Sequence, residues 1–128
     1  MIEYDLDAIV PPYITDYLRA HSTHNDTFMH SLEDYAKENN VPIIEPESAR
    51  FLETLTTLKA PKVILEIGCA IGYSAILMAK NAPDAKIYTI EYSQEMAKKA
   101  KENISKSGLS DRITVIEADA KDYVSYID

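Results

Sequence analysis

The chain has 128 residues, of which 46% are hydrophobic, and a formal net charge of −8. This size and composition suit one globular domain, and the acidic charge disfavours non-specific binding to nucleic-acid phosphates, which needs a basic surface. No segment approaches the ~18 apolar residues of a membrane span, and the first residues lack the basic and apolar regions of a signal peptide, so we expect a cytoplasmic protein without a membrane partner.

Residues 1–60 are predicted to form a helical region in three pieces. The first helix covers residues 13–20, the second is capped by Asn25 or Asp26, and the third covers residues 47–58. The apolar side chains of the first two helices recur at helical spacing and are predicted to be core. They are Ile14, Tyr17 and Leu18 in the first helix, and Phe28, Met29, Leu32, Tyr35 and Ala36 in the second.

An apolar strand over residues 63–67, whose one polar residue is Glu66, runs into two glycines, Gly68 and Gly72. Continuous hydrophobicity is typical of a strand buried on both faces of a doubly wound parallel sheet. Glycine allows the backbone to turn sharply and to approach a ligand at the carboxyl end of such a strand. The sequence therefore predicts a nucleoside-binding turn.

The residues around these glycines indicate which nucleoside is bound. A dinucleotide fingerprint needs a third glycine to bring backbone amides onto a pyrophosphate, whereas Ala70 and Tyr73 stand in this loop. Glu66 would repel a pyrophosphate but attract a sulfonium and an ammonium group. The pattern favours S-adenosylmethionine over NAD.

Two further strands are predicted, each ending near an acidic residue. Residues 86–91 end in Glu91, about 20 residues after the glycines, where an acid accepts hydrogen bonds from ribose hydroxyls; alternatively, Glu91 opens the following helix. Residues 113–117 precede Asp119 and Ala120, which could reach an adenine edge in a 3-2-1 strand order. An aspartate there is also an ordinary helix N-cap.

The remaining features fit an alternation of helices and strands. A helix over residues 74–80 follows the first strand, and a second helix begins after Ser93 and ends near Gly108. Its lysines are predicted to form a solvated face rather than a nucleic-acid patch. Cys69 is interpreted as a small residue beside the cofactor, and His21, His24 and His30 as surface residues rather than metal ligands.

Residues 42–120 resemble the cation-dependent O-methyltransferases, which include catechol and caffeoyl-coenzyme A O-methyltransferases and bacterial enzymes that methylate hydroxyuridine in transfer RNA. The matching segments are residues 41–47, 48–52, 65–75 and 117–120. The most specific of them reads Glu66-Ile67-Gly68-Cys69-Ala70-Ile71-Gly72-Tyr73-Ser74. The resemblance implies a Rossmann-like α/β fold and transfer of a methyl group from S-adenosylmethionine to a hydroxyl.

The resemblance also implies roles for individual residues. Ile44 and the backbone of Gly68 and Cys69 would line the cofactor, with Gly72 completing the turn. Glu66 and Ser74 would hold its methionine end, Glu91 its ribose, and Asp119 and Ala120 its adenine.

In that family, Mg²⁺ is held by an aspartate after the fourth strand and by a later Asp-Asn pair, and this sequence ends at Asp128, before a fourth strand. We therefore expect one incomplete methyltransferase domain over residues 1–128, with a helical cap over 1–60 and a cofactor-binding half over 61–128. The 128-residue chain has no assigned metal ligands or catalytic residues and is expected to be inactive alone. The implied acceptor is a small phenolic molecule or a transfer-RNA hydroxyuridine, and the implied assembly is a homodimer. The alternatives are a non-catalytic nucleoside-binding fragment and an NAD-linked oxidoreductase.

Overall fold

The computed structural model describes residues 10–22 and 25–124. Helices and strands alternate after an all-helical beginning. In chain order they are α1 (Pro12–His21), α2 (Thr27–Glu38), α3 (Pro46–Lys59), β1 (Val63–Ile67), α4 (Tyr73–Asn81), β2 (Lys86–Glu91), α5 (Gln94–Lys106), β3 (Ile113–Glu117) and α6 (Ala120–Val124). Within the described ranges, every helix is too short or too polar to cross a membrane.

The three strands form one parallel sheet in the order β1-β2-β3. Val63 pairs with Lys86, and Ile87 pairs with Ile113, so each strand lies beside the next one in the sequence. The predicted bounds of the three strands and their 3-2-1 order are confirmed. Since consecutive parallel strands are joined through a helix, α4 and α5 are the two crossovers.

Helix α4 lies at the centre of the hydrophobic core. Six of its nine residues are buried: Tyr73, Ala75, Ile76, Leu77, Met78 and Ala79. One side of α4 faces the sheet, and the other contacts α2 and α3. A helix covered on several sides has no polar stripe to display, which explains why its sequence shows little amphipathic pattern.

Helix α2 confirms its predicted cap and core stripe. The Asp26 side chain accepts hydrogen bonds from the backbone amides of Phe28 and Met29, at 3.0 and 3.1 Å, and so satisfies donors that the first turn leaves unpaired. Three side chains of the stripe are buried, namely Met29, Leu32 and Ala36. Helix α2 thereby closes the core over α4.

The core prediction for α1 is wrong. No residue of α1 is buried, and the side chains of Tyr17 and Leu18 are 63% and 41% exposed. Helix α1 is the outermost layer and contacts α3, partly through Arg19, whose guanidinium bonds the Glu47 carboxylate at 2.9 Å. Among the described elements, α3 is the one with which α1 makes its main contact, and this contact leaves the apolar side chains of α1 largely exposed.

Helix α5 confirms its predicted ends. The Ser93 hydroxyl oxygen accepts a hydrogen bond from the Met96 amide at 3.3 Å, and Gly108 follows the helix with a φ of +74°. This left-handed conformation suits glycine after a helix end. Of the predicted solvated lysines, Lys99 is half-buried, because its ammonium lies 4.2 Å from the centre of the Tyr35 ring on α2.

The prediction that β1 is buried on both faces is also wrong. Helices α4 and α5 pack on the sheet face that carries Ile64, Ile87 and Val115. On the opposite face, Val63 is 64% exposed and Ile67 is 62% exposed. Leu65 and Tyr88 are exposed beside them. We call this set, Val63, Leu65, Ile67 and Tyr88, the open sheet face.

Within the described part of the chain, no strand pairs with the outer edge of β1, which adjoins the open sheet face. Edges of this kind recruit partners. We expect the chain to pair this edge with a second copy, with a separate polypeptide or with its own rearranged helices. If a second copy is the partner, sedimentation of the pure chain should show species larger than 14.4 kDa.

Leu65→Lys should shift that population to monomer, because a charge on the open sheet face opposes burial. The matched control is Leu58→Lys on α3, where the leucine is 78% exposed but is not part of the open sheet face. A wild-type chain that stays monomeric at all concentrations would contradict self-association through this surface.

Candidate cofactor site

The loop between β1 and α4 has three residues in left-handed conformations. Gly68, Ala70 and Gly72 have φ values of +80°, +45° and +86°. A Cβ atom built on Gly72 would lie 3.4 Å from Ala100 on α5. Glycine is therefore favoured at position 72 by its dihedral angles, while a Cβ there would lie at ordinary contact distance from α5. The loop reverses the chain and places the first turn of α4 at the carboxyl end of β1.

Two side chains from other elements hold this loop in place. The buried Asn103 amide of α5 donates to the Ile71 carbonyl at 2.9 Å, and the Ala70 amide donates to the Glu91 carboxylate at 2.9 Å. Sequence reasoning missed Asn103. The available signal was an asparagine in the apolar stripe of α5, next to Ile104, where a polar side chain must have a specific partner.

Four of the predicted residues meet in one small cavity of about 60 Å³. They are Ile44, Gly68, Cys69 and Ser74, and the other lining residues are Pro42, Ile43, Ala70 and Tyr73. Two chain segments thus face each other, the glycine loop and the extended residues 41–45 that precede α3. Pro42 in the second segment and Pro46 directly after it keep the segment out of a helix, as the sequence predicted.

Glu66 lies behind this cavity rather than in its wall. Its carboxylate accepts hydrogen bonds from the hydroxyls of Ser74 and Thr89, the latter at 2.5 Å. Burial raises the pKa of Glu66 above its ordinary value, and the two hydrogen bonds oppose that shift. Sequence reasoning missed Thr89, which is fully buried on β2. The arrangement holds the Ser74 side chain at the start of α4 and keeps an acidic group directly beneath it.

Glu91 opens helix α5, which is one of the two roles that the sequence left open, and it also holds the glycine loop. One carboxylate oxygen accepts from the Ala70 amide of the glycine loop, and the other accepts from the Ser93 amide that opens α5, both at 2.9 Å. An ionised carboxylate has about four acceptor positions. Two therefore remain for ligand hydroxyls, and the side chain is half-buried. The next residue, Tyr92, is 78% exposed and was not singled out by sequence reasoning.

Asp119 and Ala120 lie where β3 ends and are half-buried. The Ala118 amide donates to the Glu91 carbonyl at 3.2 Å, which keeps this segment beside β2. One carboxylate oxygen of Asp119 accepts from the Lys121 amide at 2.9 Å, so the N-cap interpretation of this residue is confirmed. The structure thus places Asp119 on the Glu91 side of the site, across the loop from Ile44.

The cysteine of the loop is a poor nucleophile. Cys69 is 3% exposed, and burial raises the pKa of its thiol to about 11. The thiol is therefore protonated at neutral pH and lacks the thiolate form that reacts. This agrees with its interpretation as a small residue that fits the loop.

The described residues do not gather a metal site. Among residues 10–22 and 25–124 there is no group of three histidine, cysteine, aspartate or glutamate side chains that could hold an ion. His21 Nδ1 lies 2.7 Å from the Tyr17 carbonyl, and His30 Nδ1 lies 3.0 Å from the Glu33 carboxylate. His24 lies outside the described residues.

Comparison with known proteins adds independent evidence. Residues 19–127 match the family model described as O-methyltransferase. The O-methyltransferase imqG of Aspergillus flavus is 34% identical over 119 residues, which is 93% of this chain and 45% of that protein. A catechol O-methyltransferase of Niastella koreensis is 32% identical over 83% of this chain and 48% of its own length.

Solved structures agree with these relatives. An O-methyltransferase from Bacillus cereus, solved in complex with SAH, matches with a TM-score of 0.76 and 27% identity, over 88% of this chain and 53% of that one. The chain spans about half the length of the curated relatives it matches. The fold class and the resemblance inferred from the sequence are confirmed, and the chain belongs to the O-methyltransferase family.

Proposed function

We propose that this chain is the cofactor-binding half of an S-adenosylmethionine-dependent O-methyltransferase. The observation that supports it is the placement of two carboxylates around one glycine loop. The Glu66 carboxylate accepts a hydrogen bond from Ser74, where the loop enters α4. The Glu91 carboxylate accepts a hydrogen bond from the Ala70 amide of the same loop. A cationic methionine end above Glu66 and a ribose beside Glu91 would both be favoured, whereas a pyrophosphate would be repelled.

The cofactor then lies along the carboxyl ends of the strands. Ile44 and the backbone of Gly68 and Cys69 line the methionine end of the cofactor. Ser74 forms a hydrogen bond with the methionine part there. The Glu91 carboxylate accepts hydrogen bonds from the ribose hydroxyls. Asp119 and Ala120 face the adenine, and the exposed ring of Tyr92 offers a surface on which a base can stack.

The reaction proposed for the whole enzyme is a direct methyl transfer. A hydroxyl oxygen of the acceptor forms a bond to the methyl carbon while the carbon–sulfur bond breaks, and the acceptor proton leaves to water. S-adenosylmethionine already carries its leaving group, so the protein contributes mainly by alignment. The residues described here supply the donor side of that alignment.

The acceptor that we propose is a small phenolic or catechol-like molecule. The curated relative from Niastella koreensis bears the name catechol O-methyltransferase. The net charge of −8 disfavours the alternative, a transfer-RNA hydroxyuridine, because a polyanion is attracted by basic surfaces.

A cofactor titration tests the proposal directly. Calorimetry on the chain should show binding of S-adenosylhomocysteine, while fluorescence titration with NADH should show none, because Glu66 and Ala70 replace features that a pyrophosphate needs. Tight NADH binding that is abolished by a bulky residue at Gly68 would instead identify an oxidoreductase. A turnover assay separates an enzyme from a non-catalytic nucleoside-binding fragment.

Glu91→Ala should weaken S-adenosylhomocysteine binding by about 1.5–3 kcal/mol, the scale of charge-assisted hydrogen bonds. The change removes the ribose acceptor and also frees the Ala70 amide. Glu102→Ala on the exposed side of α5 is the matched control and should leave the affinity unchanged. Equal affinities of the folded Glu91→Ala variant and the wild type would refute the ribose assignment.

Glu66→Gln should separate stability from binding. The pKa of Glu66 is raised in the folded state above its ordinary value of 4.5. Its contribution to the free energy of unfolding is therefore present below pH 4.5 and is lost as the pH rises through the folded-state pKa. At neutral pH the Gln variant should therefore melt at or above the wild-type temperature, and its advantage should shrink in acid.

The same variant should bind S-adenosylmethionine less tightly, and the loss should be smaller for S-adenosylhomocysteine, which has no sulfonium charge. Thermal melts across pH and paired titrations measure both effects. An unchanged ratio of the two affinities would argue against an electrostatic role of Glu66.

A further inference from the structure

Tyr73 links the glycine loop to helix α2. It is the first residue of α4 and 2% exposed, and its hydroxyl donates a hydrogen bond of 2.5 Å to the Glu33 carboxylate. The two residues are 40 positions apart in the sequence. Burial and the neighbouring Glu33 raise the pKa of Tyr73, so the hydroxyl stays protonated and continues to donate.

The contact lies on the boundary between two cavities. Tyr73 lines the small cofactor cavity and also a neighbouring cavity of about 360 Å³, which is walled by residues 41–46 and α2. Glu33 lines only the second of these two cavities. Tyr73 shares this position between the two cavities with Pro42, Ile43 and Ile44, and Glu33 bonds its hydroxyl on the side of the larger cavity.

Packing of α2 against α4 does not require this hydrogen bond. Met29, Leu32 and Ala36 are buried in the core shared with α4, and Lys80 of α4 pairs with Asp26 at the start of α2. A carboxylate placed against a buried hydroxyl costs desolvation that an apolar contact would avoid. Its specific benefit is direction, because a short charge-assisted hydrogen bond fixes where the ring lies.

Fixing Tyr73 also fixes its neighbour. Ser74 follows directly, and its hydroxyl bonds Glu66 while its side chain lines the cofactor cavity. We propose that Glu33 is a positioning residue for the cofactor, which acts through Tyr73 to hold the start of α4 and Ser74 in the binding geometry. This inference rests on the proposed function and adds to it a determinant outside the family segments recognised in the sequence.

The test compares three variants by calorimetry with S-adenosylhomocysteine. Glu33→Ala leaves the buried Tyr73 hydroxyl without this acceptor and should weaken binding about tenfold. Glu33→Gln keeps an acceptor oxygen and should restore the affinity to within about threefold of wild type. Tyr73→Phe keeps the ring and loses the hydroxyl, and the double variant Glu33→Ala/Tyr73→Phe should bind no more weakly than the weaker single variant.

Asp26→Ala is the matched control, since it removes the cap of the same helix and the ion pair with Lys80 but neither partner of the Tyr73–Glu33 hydrogen bond. It should lower the melting temperature and leave the affinity of the folded protein unchanged.

Wild-type affinity in Glu33→Ala, or an equal loss of affinity in Asp26→Ala, would overturn the positioning role while the proposed function stands. If Glu33→Ala does not fold, Tyr73→Phe decides the question by the same affinity criterion. If the wild type itself does not bind, both the proposed function and this inference fail.

Discussion

The turn from β1 into α4 is the constraint on which the rest of the molecule depends. Gly72 adopts a φ of +86°, which residues with a side chain rarely adopt, and it lies against Ala100 of α5. The start of α4 is therefore in contact with α5, which is in turn packed on β2 and β3. Backbone geometry at one residue thus ties the cofactor loop to the whole α/β layer.

The polar groups around this turn are satisfied mainly by one another. Glu66 accepts hydrogen bonds from two hydroxyls, and Glu91 accepts them from two backbone amides. Asn103 donates a hydrogen bond to the Ile71 carbonyl. No buried side-chain nitrogen or oxygen of the described residues lacks a partner. A site built in this way is already ordered before a ligand arrives, so little binding energy is lost to rearranging it.

Local features of the chain could be predicted well from the sequence. The three strands, the Ser93 cap and the conformation of Gly108 follow from patterns within a few residues, because turn and cap chemistry is local. The features that were missed depend on distant partners. Thr89 contacts a residue 23 positions away, Asn103 one 32 positions away, and Glu33 one 40 positions away. The wrong predictions, core burial of α1 and of both faces of β1, likewise concern which layers cover an element, and periodicity does not encode that.

The order of pairing in the sheet has a kinetic consequence. Each strand pairs with the strand that follows it in the chain, and every registered pair of the sheet lies within residues 63–117. Contacts of modest sequence separation close small loops, which favours rapid folding. During synthesis we therefore expect β1 and β2 to pair first and β3 to add as it leaves the ribosome, so that the cofactor loop and both crossover helices assemble progressively from the N-terminal side.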